Sequence, residues 1–235
     1  MNGQTTRKVA VILPAAGRGQ RFGADANKIF QPLAGQAVFL HTLGLFASRP
    51  EVCQILLVLS ADDRPRVEAE FADALAAADV QVCPGGTSRP TSVANALARV
   101  DDQADLVCVH DAVRPCTAVE AIDRVFAAAA SSAAAILACP LHGTIKRVAG
   151  GLIEATVPRE GLWEAQTPQV FDRGLLQRAY ATGDLAAATD DAQLIEALGR
   201  PVAVVPAGPQ NVKITKPEDL AFAEAVLKAR PPAQK

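Results

Sequence analysis

Short apolar runs alternate with segments of helical period over the first 140 residues. Lys8–Leu13 reads as a strand, Val38–Ser48 as a helix and Gln54–Ser60 as a second strand. Ser60 and Asp63 have the spacing of a capping box, which predicts a helix from there to about Ala78. Val80–Cys83 reads as a short strand, Ser88–Val100 as a helix and Leu106–His110 as another strand. Thr117 and Glu120 then have the spacing to cap a helix that runs toward the strand Ala134–Cys139. Strands that are apolar throughout and separated by helices are covered on both faces, as parallel strands are. The expected class is therefore α/β, with a doubly wound, mostly parallel sheet. Such sheets bind ligands beyond the carboxyl ends of their strands. The segments to search follow residues 13, 60, 83, 110 and 139.

The pattern changes near residue 140. Thr144–Val157 contains two short alternating runs around Gly150-Gly151, which predicts a hairpin arm spanning about 141–158. Its apolar positions, Ile145, Val148, Leu152, Ile153 and Val157, are more than a solvated arm needs. Helical patterns resume at Arg173–Ala181 and Asp190–Leu198, followed by a strand at Val202–Val205. A last helix is expected near Pro217–Ala229, where Thr215, Pro217 and Glu218 make a helix-start signature. We expect one domain over residues 1–230 with the arm inserted, and a frayed tail at 231–235.

Composition narrows the function. The chain has 235 residues, half of them hydrophobic, so a sizeable core is available and wholesale disorder is excluded. Its 23 Lys and Arg against 25 Asp and Glu argue against a general nucleic-acid binder. Five cysteines without a C-x-x-C pair argue against a disulfide framework or a zinc site and fit a reducing, cytoplasmic setting. Residues 9–17 follow Arg7 and Lys8 loosely in the manner of a signal peptide, but the stretch is short and broken by Pro14. The uncharged stretch 125–145 is mostly Ala and Ser, which fits a helix end running into a buried strand better than a membrane span.

The loop after the first strand reads PAAGRGQRFG. Gly17, Gly19 and Gly23 are spaced one residue too widely for the dinucleotide fingerprint, and no Walker lysine follows. Charge sets the loop apart. Residues 7–31 hold Arg7, Lys8, Arg18, Arg21 and Lys28 against the single acid Asp25. A cationic, glycine-bearing loop at a strand's carboxyl end suits a polyphosphate; the alternative is a solvated loop with incidental charge. Gly85 and Gly86, with Ser88 and Ser92 behind them, suit contacts to a base or ribose, or make an ordinary turn and N-cap. His110, Asp111 and Arg114 close the fourth strand; the acid and the arginine can serve metal and phosphate, or form a structural ion pair. His110 reads as a buried residue rather than a base. Thr144, Arg159 and Thr167 by themselves read as hairpin and loop residues, Trp163 as packing, and Lys213 as a surface charge.

Taken together, PAAGRGQRFG with Lys28, PGGTSRPTSVANAL, VHDAVRP, GTIKRV, VPREGLWEAQTPQVF, TDDAQLIEALG and NVKITKPEDLAFAEAVL resemble the 2-C-methyl-D-erythritol 4-phosphate cytidylyltransferases of the non-mevalonate isoprenoid pathway. The likeness runs in order from about residue 8 to 228. It implies the nucleotide-diphospho-sugar transferase type of sheet, and transfer of CMP from CTP to the acceptor alcohol's phosphate with release of pyrophosphate. It implies CTP contacts at Pro14, Ala15, Ala16, Gly17, Gly19, Lys28, Gly85, Gly86, Thr87, Ser92 and Asp111. It implies acceptor contacts at Asp111, Arg114, Thr144, Arg159, Thr167 and Lys213. Arg21, Lys28, Arg159 and Lys213 become the catalytic candidates, and Asp111 a ligand for Mg²⁺ carried mainly by the CTP phosphates. The resemblance also implies a homodimer, in which the arm completes the neighbour's site, and no membrane or nucleic-acid partner. The rival expectations are a cytidylyltransferase for a pentitol phosphate such as ribitol 5-phosphate, and a nucleotide-binding protein without turnover. Two positions depart from the family pattern: Asn27-Lys28-Ile29 stands where Pro-Lys-Gln is common, and Thr87 stands where many members have an acid.

Overall fold

The computed structural model describes residues 7–17 and 27–230. The expectations placed on Arg18, Gly19, Arg21, Gly23 and Asp25, and on the tail 231–235, lie outside those residues.

The elements run in the order β1 (Val9–Pro14), a single 3₁₀ turn (Lys28–Phe30), the two-residue strands β2 (Pro32–Leu33) and β3 (Gln36–Ala37), α1 (Val38–Gly44), β4 (Val52–Leu59), α2 (Arg64–Glu70), α3 (Ala72–Ala77), β5 (Val80–Pro84) and α4 (Arg89–Leu97). Then come β6 (Leu106–Val109), α5 (Val119–Ser132), β7 (Ala134–Pro140), β8 (Ile145–Ala149), β9 (Leu152–Val157), β10 (Trp163–Asp172), α6 (Arg173–Thr182), α7 (Asp191–Ala197), β11 (Ala203–Pro206) and α8 (Pro217–Ala229). Seven strands form one sheet in the order β11-β7-β10-β6-β1-β4-β5. All its pairings are parallel except those of β10, which runs antiparallel to both β6 and β7.

Period-two alternation divides the strand side chains between two cores. Val9, Val11 and Leu13 of β1 join Ile55, Leu57 and Leu59 of β4 on one face, under α1 and α5. Ile12, Leu56 and Val58 turn to the other face, under α4, α6 and α7. Covering both faces is why these strands are apolar at every position.

Four expectations are corrected. The helix expected up to Ala78 is two helices, broken at Phe71, whose backbone leaves the helical region while its ring packs between Phe30 and Phe39. Thr117 does not cap α5; its hydroxyl donates to Asn211 Oδ1 at 2.8 Å, and Ala118 opens the helix without a side-chain cap. At α8 it is Asp219, one residue beyond the expected Glu218, that receives the Thr215 and Lys216 N–H groups. The strand β10 was not expected at all. Its first residues are exposed, its later ones are buried, and Pro168 interrupts it, so neither alternation nor a continuous apolar run marks it.

Among the described residues, the hairpin β8–β9 pairs with no other strand. Gly150 and Gly151 both have positive φ, 56° and 80°, as a two-residue hairpin turn demands. Val148, Leu152 and Ile153 are 55%, 75% and 65% exposed.

Leu57, on the second strand from the β5 edge, is fully enclosed. Leu57→Ala is expected to cost about 3 kcal/mol of unfolding free energy, measured by denaturant titration; a loss below about 1 kcal/mol would contradict the packing described.

Candidate active site

The carboxyl ends of β1, β4, β5 and β6 open into a cleft of about 790 Å³. Its floor is backbone. Ala15 N–H donates to Val58 C=O and Gly85 N–H to Leu59 C=O, so the loops after β1 and β5 are tied to the end of β4. Space there is tight. A Cβ on Gly85 would sit 2.4 Å from the Ala16 Cβ, and one on Gly86 would sit 2.3 Å from Thr91 Oγ1. The two glycines are required by close approach, not merely by turn propensity. Ser92, buried in α4, accepts the Gly86 N–H at 2.9 Å and donates to Ser88 C=O at 2.8 Å. Its hydroxyl thus fixes the Gly86 turn from beneath.

The charged wall of the cleft centres on Asp111, just beyond β6. Its Oδ2 lies 2.8 Å from Lys213 Nζ and 3.6 Å from Arg114 Nε, and its Oδ1 lies 3.2 Å from Arg89 Nε. Burial by itself raises this carboxyl, but Arg89, Lys213 and Arg114 outweigh it and hold it well below the usual carboxylate range. Asp111 is therefore an anion held among cations.

Behind it runs a closed chain of hydrogen bonds. Asp111 N–H donates to Thr167 Oγ1 at 3.1 Å, and the Thr167 hydroxyl in turn donates to His110 Nδ1 at 3.1 Å. The remaining ring nitrogen, Nε2, donates to Arg114 C=O at 3.2 Å. Burial pushes His110 down to about 4, against the pull of Asp111, so the ring is neutral at pH 7. With both nitrogens engaged inside the protein, His110 is a fixed support. Asn211 completes the chain: it donates to Thr167 C=O at 2.9 Å, and its own carbonyl accepts from Arg114 at 2.6 Å.

Elsewhere on the cleft's rim, Asn27 opens the 3₁₀ turn that carries Lys28. Its Oδ1 accepts Ile29 N–H at 3.3 Å, and its Nδ2 donates to Asp63 Oδ2 at 2.7 Å. Asp63 is held in turn by the Ser60 hydroxyl at 2.6 Å. The departure at Asn27 thus has a structural use: it caps the lysine-bearing turn and tethers it to the start of α2.

The family model for 2-C-methyl-D-erythritol 4-phosphate cytidylyltransferase matches residues 9–229. The chain belongs to that family. A cytidylyltransferase of this name from Rhodopirellula baltica is 43% identical, with 93% of this chain and 94% of the relative covered. One from Acidobacterium capsulatum is also 43% identical, with 95% and 98% covered. Among solved structures, the Thermus thermophilus cytidylyltransferase superposes with a TM-score of 0.78 at 34% identity, covering 94% of this chain and 99% of that one.

The cytidylyltransferase cleft gathers only part of the residues expected to serve it. Pro14, Ala15, Ala16, Gly17, Lys28, Gly85, Gly86, Thr87, Ser92, Asp111 and Lys213 line it. Arg114 and Thr167 lie beneath the surface, backing Asp111. Thr144 and Arg159 flank the arm, exposed, and are not among the residues lining this chain's cleft; Arg159 donates to His142 C=O. Trp163 is 42% exposed, so this chain packs it only in part. The residues that escaped the sequence reading include Arg89, which lines the cleft, and Asp191, which is fully buried behind it. Arg89 carried a signal. A cation in the first turn of a helix opposes the helix dipole, so some other partner has to hold it there.

Gly85→Val is expected to disrupt the β1 and β5 loops and to weaken CTP binding on the order of 10²-fold in calorimetry, because placement errors of about 1 Å carry costs of that size. Unchanged affinity would mean that the Gly85–Ala16 contact does not shape the nucleotide site.

Proposed function

We propose that the chain transfers CMP from CTP to 2-C-methyl-D-erythritol 4-phosphate, giving 4-diphosphocytidyl-2-C-methyl-D-erythritol and pyrophosphate. The observation that carries this reading is the joining, in one cleft, of a glycine turn able to approach a base or ribose with two lysines from distant segments, Lys28 and Lys213. An acceptor phosphate oxygen attacks the α-phosphorus in line. That nucleophile is already an anion, so no general base is needed, in keeping with a locked, neutral His110. The barrier is accumulating negative charge, and cations placed in advance lower it most effectively. We assign Lys28, together with Arg21, to the transition-state charge, and Lys213 to the acceptor phosphate. Full-length relatives bearing the methylerythritol name leave the pentitol phosphate alternative without support.

The cleft fits a divalent ion that arrives with the nucleotide. Asp111 offers an ionised carboxylate there, while no group of three or more His, Cys, Asp or Glu among the described residues could hold a metal by itself. Asp111 would be the protein ligand of Mg²⁺, whose chemistry when bound is to shield phosphate charge.

We further propose a homodimer in which the β8–β9 arm reaches the neighbouring chain. Isolated two-stranded hairpins are marginal in water, and this one leaves Val148, Leu152 and Ile153 uncovered. Thr144 and Arg159 at its base would then serve the neighbour's acceptor. A cytoplasmic setting suits the five unpaired cysteines, four of them buried. Among the described residues no helix is long and apolar enough to cross a membrane.

The deciding experiment is pyrophosphate release with a panel of nucleoside triphosphates and both acceptors. Turnover is expected only with CTP and methylerythritol phosphate; a preference for ribitol 5-phosphate would overturn the assignment. Lys28→Ala should lower kcat by about 10²–10³ with the fold intact by circular dichroism. Wild-type turnover in that variant would remove Lys28 from the chemistry. For the arm, Arg159→Ala and Lys28→Ala chains mixed as heterodimers should regain activity, since one of the two sites then carries neither lesion. A solely monomeric mass in solution, or no rescue in confirmed heterodimers, would refute the shared site.

A further inference from the structure

Arg89 occupies a position that local energetics disfavour. It opens α4, where its charge opposes the helix dipole, and its NH1 is buried without a hydrogen-bond partner among the described residues. Two carboxylates offset those costs. Nε faces Asp111 Oδ1 at 3.2 Å, and NH2 faces Asp191 Oδ2 at 2.8 Å. Asp191 is wholly enclosed. Its other oxygen accepts the Tyr180 hydroxyl, and its N–H donates to Gln169 Oε1 at 3.1 Å. The Gln169 side chain also receives the Ala192 N–H and donates to Asp190, so the start of α7 is fastened to β10.

We propose that Asp191, with Tyr180, is a positioning element for the transfer reaction: it fixes Arg89, Arg89 fixes Asp111, and Asp111 holds Lys213 in the cleft. The proposal rests on the transferase reading given above. Every link is a direct contact, from α6 and α7 on one side to α4 and the β6 end on the other. Asp111 divides its two oxygens between its two neighbours in this line, Oδ1 to Arg89 and Oδ2 to Lys213 at 2.8 Å. Loss of Arg89's anchor lets the Asp111 carboxylate pivot and carries Lys213 with it. Asp191 is fully buried and is not among the residues lining the cleft, so its effect on substrate use would travel through Arg89.

The test is a double-mutant cycle with Asp191→Asn and Arg89→Gln, read as acceptor KM, kcat and CTP affinity by calorimetry, with Lys213→Ala alongside. Wild-type turnover first establishes the transferase reading, so its failure is seen separately from that of the proposal. Asp191→Asn is expected to copy the Lys213→Ala pattern in weaker form. Acceptor KM should rise about tenfold, within the range that a misplaced group produces, while CTP affinity, which also draws on Lys28 and the glycine turn, falls by less. The double variant should be no worse than Arg89→Gln alone, because members of one line are non-additive. Arg89→Lys, which restores the charge but reaches only one carboxylate, should recover part of the acceptor KM. A structural role alone would lower melting temperature and active fraction while leaving acceptor KM at the wild-type value; that result, or additive losses, would overturn the proposal. If Asp191→Asn does not fold, Tyr180→Phe keeps the ring and removes only the hydroxyl. It should raise acceptor KM in the same direction by about half that effect on a logarithmic scale, and an unchanged value would equally overturn it.

Discussion

A carboxylate taken out of water has to be paired or it will not stay ionised. Asp111 is that carboxylate, and the surrounding architecture meets its requirement from its own loop and from three distant parts of the chain. The helix after β5 brings Arg89, the loop before α8 brings Lys213, Arg114 comes from Asp111's own loop, and β10 brings the Thr167 hydroxyl that takes its N–H. Arg89, Arg114 and Thr167 are also held by Asp191, Asn211 and His110, so the charge acts as a common anchor for strands, helices and loops that local propensity does not align. Breaking such a buried arrangement by deleting one partner typically costs about 3–5 kcal/mol. The geometry of the cleft and the stability of its wall are thus the same problem.

The chemistry follows from what that wall leaves for a substrate. A phosphate monoester needs no proton removed to attack another phosphorus, so a basic side chain brings little. The titratable ring nearest the centre is instead fixed as a neutral link between Thr167 and the Arg114 carbonyl. Positive charge is local in a chain whose formal net charge is −2. The lysines face the cleft from different segments, one steadied by Asp111 and the other carried on a turn capped by Asn27.

What the sequence made legible was whatever recurs with a period or stands close in the chain. The doubly buried strands announced themselves because both faces select apolar residues, and the Gly150-Gly151 turn because two positive φ angles leave few alternatives. Gly85, Gly86, Asp111 and Lys213 were found by motif. The cleft that joins them could not be read from spacing, since Lys213 reaches Asp111 across about a hundred residues. Strand β10 stayed hidden because its polar residues, Gln166, Thr167 and Gln169, are consumed by buried hydrogen bonds. In the sequence they look like a loop. Asp191 stood beside another aspartate in a helix-start context, and only the fold shows that Asp190 caps α7 while its neighbour turns inward to Arg89.

The antiparallel strand has a consequence for the order in which the protein can be assembled. In the seven-stranded sheet, β7 pairs only with β10 and β11, both made later, and β6 gains its second neighbour only when β10 arrives. As the chain leaves the ribosome, β1, β4, β5 and β6 can join into a four-stranded parallel unit with an open edge at β6. The apolar strand β7 follows without a partner until residue 172 has emerged. Thr167, which belongs to the late strand, reaches Asp111 in the same step. Closure of the sheet and completion of the wall behind the cleft are therefore one event, and the nascent protein carries an unpaired strand edge until it occurs.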